Sequence, residues 1–120
     1  MAKALLFNIT GDKRKKLGFL LMQYGITAVD GGPGDHNKPL SRLLGKEGYP
    51  TTPALDAPFM DEMLVLDDLN AQQFNGLLNG MKMLQAPVTY KAVITEHNLS
   101  WTPSRLLREL TAEHEAMNRR

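Results

Sequence analysis

Cysteine is absent from these 120 residues. The chain therefore forms no disulfide, offers no thiolate nucleophile and cannot build a zinc ribbon, a composition that fits a reducing compartment. An excess of one charge sign is also missing: 14 Lys and Arg against 13 Asp and Glu leave a formal net charge of +1. That balance excludes the uniformly basic character of a nucleic-acid coat, so nucleic acid is not an expected partner. No apolar stretch approaches the roughly 20 residues needed to span a bilayer. The apolar run at Leu5-Leu6-Phe7 is short and broken by Asn8, unlike a secretory signal. A cytoplasmic protein with no membrane partner is expected.

What is present is ordinary globular composition, 42% hydrophobic and 22% charged, in a length suited to one domain over 1–120. Leu5 to Ile9 reads as a strand. A helix follows from Asp12 to Tyr24, with Leu17, Leu20, Leu21 and Tyr24 on one face and Gly25 as its left-handed stop. Ile26 to Asp30 reads as a second strand. Residues 31–61 hold five of the seven prolines and read as a long irregular connection in which only Pro39 to Leu44 looks helical. Met63 to Leu66 is a third, apolar strand. Asn70 and Gln73 have the spacing of a capping box, flanked by Leu69 and Phe74 as a hydrophobic staple. The helix they open stops before Pro87, and Val88 to Thr95 reads as a fourth strand with Lys91 exposed. Thr102 as N-cap, Pro103 at the first helical position and Trp101 stapled to Leu106 start the last helix. Its stripe is Leu106, Leu107, Leu110, His114 and Met117.

The element order is thus repeated in halves 1–61 and 62–120. A sequence echo accompanies it: His36-Asn37, then Pro39 and Ser41-Arg42-Leu43-Leu44, against His97-Asn98, then Pro103-Ser104-Arg105-Leu106-Leu107. Internal duplication and chance both account for so short an echo. Two βαβ(α) halves in one small sheet give an α/β (α+β) class, as a ferredoxin-like two-layer sandwich with an extra C-terminal helix. The first strand of each half fills the gap left by the other half's crossover, which puts strands one and three in the centre. A small flavodoxin-like parallel sheet is the alternative.

In that topology the loops after strands one and two lie at one end of the sheet, and those after strands three and four at the other. The first end receives Lys13, Arg14, Lys15 and Lys16 in the opening turn of a helix, together with His36 and Lys38. Cations there oppose the helix dipole unless an anion is bound, so these six residues are the anion-binding candidates for a phosphate-bearing or nucleotide ligand. A solvated face capped by Asp12 is the preferred reading of the same residues. Gly31 to Asp35 matches no phosphate-binding fingerprint. The second end receives Asp67, Asp68, Glu96 and His97, so the ends are expected to be oppositely charged.

His36 and His97 fall at opposite ends, too far apart to share an ion. A weak metal-dependent enzyme would use His97 with Glu96 or Asp67, although a hydrogen-bonded structural histidine is preferred. Ser41, Ser100 and Ser104 are the only serines, and none occupies a nucleophile elbow. No catalytic residue, metal site or cofactor is therefore assigned. Gly76 and Gly80, four apart on one helix face, are expected to admit a neighbouring helix.

Tyr90 to Asn98, then Trp101, Leu106 to Leu110 and Glu113-His114, resemble a bacterial family known as domain of unknown function 3783. The similar pattern is a strand ending in Thr-x-x-Asn, a Trp before the last helix and a closing Glu-His, and it covers the chain from Met63 onward. The resemblance implies attention to Thr95, Asn98, Trp101 and His114 and brings no activity with it; their own chemistry is capping, stapling and strand termination. The expectation from the residues is a non-enzymatic interaction or regulatory module. Its partner would be another protein or a second copy of the chain, met through an edge strand or the charged ends.

Overall fold

The computed structural model describes residues 1–46 and 58–118. Residues 47–57 of the expected irregular connection, and Arg119-Arg120 at the C-terminus, lie outside the described residues. The elements are β1 (Lys3–Phe7), α1 (Gly11–Gln23), β2 (Thr27–Gly31), a 3₁₀ turn (Pro33–Asn37) and α2 (Leu40–Leu43). They continue with β3 (Met63–Asp67), α3 (Ala71–Met83), β4 (Tyr90–Val93) and α4 (Pro103–Asn118).

Four strands form one sheet in the order β2-β1-β3-β4. The mixed α/β class and the central positions of β1 and β3 are as expected. Two pairings differ from the ferredoxin-like expectation. β2 lies directly beside β1 and β4 directly beside β3, both parallel, with no strand of the other half between them. Hydropathy does not separate the two arrangements, because both bury β1 and β3 centrally and leave β2 and β4 at the edges. The β1–β3 pair is antiparallel, so the sheet is mixed rather than the all-parallel alternative. The ends of the sheet are unchanged by this: β1 and β2 still finish at one end, β3 and β4 at the other.

Side-chain alternation sends the central strands' residues to two cores. Ala4, Leu6, Leu64 and Leu66 pack under α1 and α3 against Leu17, Leu20, Leu21, Leu77 and Met81. Leu5, Phe7, Met63 and Val65 face the other way, toward Leu40, Leu44, Leu99, Leu106 and Leu107. Burial on both faces explains why β1 and β3 are apolar runs rather than alternating ones. The α4 stripe is shorter than its spacing suggests. Leu106 and Leu107 are buried, whereas His114 is exposed beside the Tyr90 ring and Met117 is 71% exposed. The helix outruns the sheet it packs on.

Gly76 and Gly80 let α3 approach α1. A Cβ at Gly76 would overlap the Tyr24 ring, and one at Gly80 would overlap the Leu20 side chain. At the start of α3 the expected capping box is present, with Gln73 N–H donating to Asn70 Oδ1 (2.8 Å) and Asn70 N–H to Gln73 Oε1 (3.0 Å).

The two halves coincide in detail. β1 and β3, and α1 and α3, begin and end at positions that differ by 60 (3 and 63, 7 and 67, 11 and 71, 23 and 83). Left-handed residues recur at the same offset: Asn8 (φ 60°) and Asp68 (φ 63°), Gly25 (φ 69°) and Gln85 (φ 55°). So do the bonds closing the helices, Ile26 N–H to Leu21 C=O (2.8 Å) and Ala86 N–H to Met81 C=O (2.9 Å). In the central pair Leu5 lies opposite Val65, its own equivalent, so a local two-fold axis passes between them. Beyond the edge strands the halves part, into the 3₁₀ turn and short α2 in the first and the long α4 in the second, and before them the correspondence breaks at one place. Ile26 leads straight into Thr27 of β2, but Ala86 is followed by Pro87, Val88 and Thr89 before Tyr90 opens β4. Tyr90 takes the register position opposite Met63 that Thr27 takes opposite Lys3, so these three residues are an insertion in the second half.

Candidate functional site

The cations at the first end of the sheet are drawn into ion pairs. Lys13 Nζ meets Glu62 Oε1 at 2.7 Å, from the segment entering β3. Arg14 grips Asp30 of β2 through Nε and an Nη at 2.8 and 2.9 Å. Lys16 reaches Asp12 one turn back (3.2 Å) and Lys38 reaches Asp35 (2.9 Å). Gly32 N–H, then Lys38, holds the Asp35 carboxyl below the usual carboxylate range. Lys15 is exposed and has no ion pair among the described residues. His36 is 4% exposed. It packs edge-on against Phe59 with ring centroids 4.3 Å apart, and its Nδ1 accepts the Phe59 N–H at 3.4 Å. The six candidates thus share one end of the sheet, but all except the exposed Lys15 face a counter-ion or the core. Glu62 and Asp30 were missed in the sequence because their pairing depends on strand order, not on spacing.

The Arg14 hydrogen bond holds the Asp30 carboxyl below its ordinary value. A depressed folded value means the bridge stabilises fully at neutral pH and is lost as pH falls through that value. Asp30 is 58% exposed, so its side chain is well screened. Asp30→Asn is therefore expected to lower stability by less than about 1 kcal/mol at pH 7. Urea titrations of variant and parent should coincide near pH 2.

The second end is likewise compensated. Lys46 Nζ lies 3.0 Å from Asp67, which is 5% exposed, and the Met1 amino group lies 2.6 Å from Asp68. Glu96 and His97 are exposed. Among the described residues no group of three His, Cys, Asp or Glu is placed to hold a metal ion.

Thr95, Asn98 and Trp101 end β4 and launch α4. Asn98, 7% exposed, accepts the Thr95 N–H at Oδ1 (2.9 Å) and donates from Nδ2 to the Val93 C=O (3.1 Å). Thr95 Oγ1 accepts the His97 N–H (3.2 Å). The Trp101 C=O accepts the Leu40 N–H (2.8 Å), and its ring lies 4.4 Å under the Arg105 guanidinium. β4 is shorter than the expected Val88 to Thr95 at both ends: it opens only at Tyr90, and these bonds close it after Val93. Asn98→Ala would strand a backbone donor and acceptor together and is expected to cost about 1–2 kcal/mol in urea unfolding.

A cleft of about 630 Å³ opens between α3 and β4. Its apolar lining is Leu78, Met81, Pro87 and Val88, and its polar lining is Asn75, Asn79, Lys82, Gln85 and Lys91. Two of its wall residues, Pro87 and Val88, belong to the three-residue insertion. Beside it, a shallower hollow of about 260 Å³ continues along β4 over Leu66, Phe74, Ala92 and Val93, sharing Leu78 and Lys91. The equivalent place between α1 and β2 is built differently. Arg14 and Asp30 form their ion pair where Phe74 and Val93 stand in the second half, and the Arg14 guanidinium lies over Gly18, the equivalent of Leu78. The first half thus bridges helix to strand by charge, where the second leaves an open apolar floor. No single motif marks the cleft; comparing the spacing of the two halves would have shown the insertion.

The second half is similar to one known family: a family model described as a domain of unknown function (DUF3783) matches residues 62–117. No curated protein and no solved structure matches the chain. The matched segment runs from β3 through α4 and contains every residue that lines the cleft.

Proposed function

We propose that this chain is a non-enzymatic interaction module whose binding site is the α3–β4 cleft of its second half. One observation carries the reading: two halves whose first strand, helix and helix-closing turn agree in position differ where the second half has three extra residues, two of which join the lining of a cleft. The chemistry of the lining agrees with holding rather than reacting, since its charges are two lysines above an apolar floor. Its volume lies within the range of about 300–1,000 Å³ usual for ligand sites. The ion pairs at the first end favour this site over an anion site at Lys13 to Lys16. The common offset of 60 supports descent of both halves from one duplicated unit, with the first copy turned to structural use.

The reading is tested by following backbone amide signals while small amphipathic fragments are titrated in. Shifts should cluster on Asn75, Leu78, Lys82, Val88 and Lys91 and vanish in Asn79→Trp, which sets a large side chain over the cleft from an exposed position. Shifts confined to other surfaces, or none, would remove the site.

A further inference from the structure

We infer that the cleft's occupant is an extended, acidic segment of a partner protein that pairs with the free edge of β4. This rests on the cleft being the binding site and adds the chemistry of what enters it. β4 is the last strand of the sheet, with β3 on one side only. The Ile94 N–H bonds to the Leu66 C=O of β3 at 2.9 Å, which fixes the phase of the strand. Backbone groups alternate in direction along a strand, so Ala92 and Tyr90 also face β3 while Lys91 and Val93 face outward. The outward Val93 C=O is already taken by Asn98 Nδ2. The Lys91 N–H and C=O and the Val93 N–H remain as a short ladder for an added strand.

The groove has the shape such a strand needs. The main cleft and the shallower hollow share Leu78 and Lys91 and together follow the chain from Pro87 to Val93. The four residues of β4 span roughly 13 Å of that path, which bends at Thr89 before the strand begins. A strand laid on this edge would turn every second side chain toward α3, where Leu78, Met81, Val88 and Phe74 supply apolar contact. Charge selects the rest. Lys82 and Lys91 are the charged residues of the lining, both are exposed, and neither has an ion pair among the described residues. Lys91 Nζ spends one donor on the Val88 C=O (2.8 Å) and keeps the others for a ligand. Acidic side chains flanked by apolar ones complement this surface, whereas basic ones meet like charge.

The probe is a fluorescein-labelled octapeptide alternating valine or isoleucine with glutamate, compared with one carrying lysine in place of glutamate and with octanoate. The glutamate peptide should bind saturably, slow hydrogen exchange at the Lys91 and Val93 amides, and bind at least tenfold more tightly than the lysine peptide. The double variant Lys82→Glu, Lys91→Glu changes two exposed side chains; it loses the Lys91–Val88 bond and puts a carboxylate in the last turn of α3, so its thermal transition should fall slightly while staying cooperative. It should reverse the preference between the peptides. Equal binding of both peptides, or binding without protection of those amides, would overturn strand addition. Octanoate moving the cleft amides while neither peptide does would leave the cleft as a site and refute the peptide. Silence from all three probes at the cleft would refute both.

Discussion

Phe7→Ala is expected to cost about 3–5 kcal/mol, the range for truncating a buried aromatic residue. Phe7 is 1% exposed in a central strand and joins the core under α2 and α4. Its ring packs against Phe59 and His36, with centroids 5.8 and 6.4 Å away. It also covers Gly31, where any Cβ would overlap it. The lost contacts therefore lie on three separate chain segments, and the backbone of a central strand cannot shift to refill the space. Against a typical domain stability of about 5–15 kcal/mol the effect is large. Urea titration should show the midpoint falling with the slope nearly unchanged. Phe7→Leu, which leaves a smaller void, should lose less. Equal stability of Phe7→Ala and the parent would mean that this core is not packed as described.

The double variant Gly76→Leu, Gly80→Leu should be nearly as damaging, and for the opposite reason. Each new side chain enters the α1–α3 contact, at Tyr24 and Leu20 respectively. Overpacking costs about 1–3 kcal/mol per site. Replacing glycine in a helix returns up to about 1 kcal/mol of propensity at each. Since even a bare Cβ would overlap the facing side chain at each site, both sit at the upper end of that cost and the net loss expected is about 4 kcal/mol, where propensity alone would predict a gain. Gln72→Ala, on the exposed side of the same helix, should stay within about 0.5 kcal/mol of the parent. A stabilised double variant would show that the glycines are not there to admit α1.

Local signals carried the fold a long way. Asn70 with Gln73, Thr102 before Pro103 and the left-handed Gly25 mark helix ends through bonds made within a few residues, so spacing alone reveals them. The continuous apolar runs at β1 and β3 follow from burial on both faces. Strand order did not follow, because it is decided by pairing across the sheet and leaves the same residues buried either way. The candidate site suffered from the same gap. The solvated basic face preferred for Lys13 to Lys16 is in part paired, which the sequence did not reveal because Glu62 is distant in sequence and Asp30 lies on the neighbouring strand. Thr95 and Asn98 were singled out in the sequence, and their side chains bond the backbone where β4 ends, while Trp101, expected to staple onto Leu106, also accepts the Leu40 N–H through its C=O. The cleft depends on three residues present in one half and absent in the other, and it becomes visible only when the halves are superposed.

The Leu5–Val65 contact on the local two-fold also sets how the chain can fold. Each half can close its own β-α-β unit over a short stretch, since Lys3 pairs with Thr27 and Met63 with Tyr90. Joining the halves requires β1 to meet β3 across 60 residues, a far longer loop. Closing it costs more chain entropy than either local unit does, though the penalty grows only slowly with length. Pairing of so high a sequence separation is the slow kind. The barrier then sits at the β1–β3 seam: weakening Leu5 or Val65 slows folding, while changes around the α3–β4 cleft speed unfolding. The α3–β4 cleft lies away from the seam that controls how fast the protein forms.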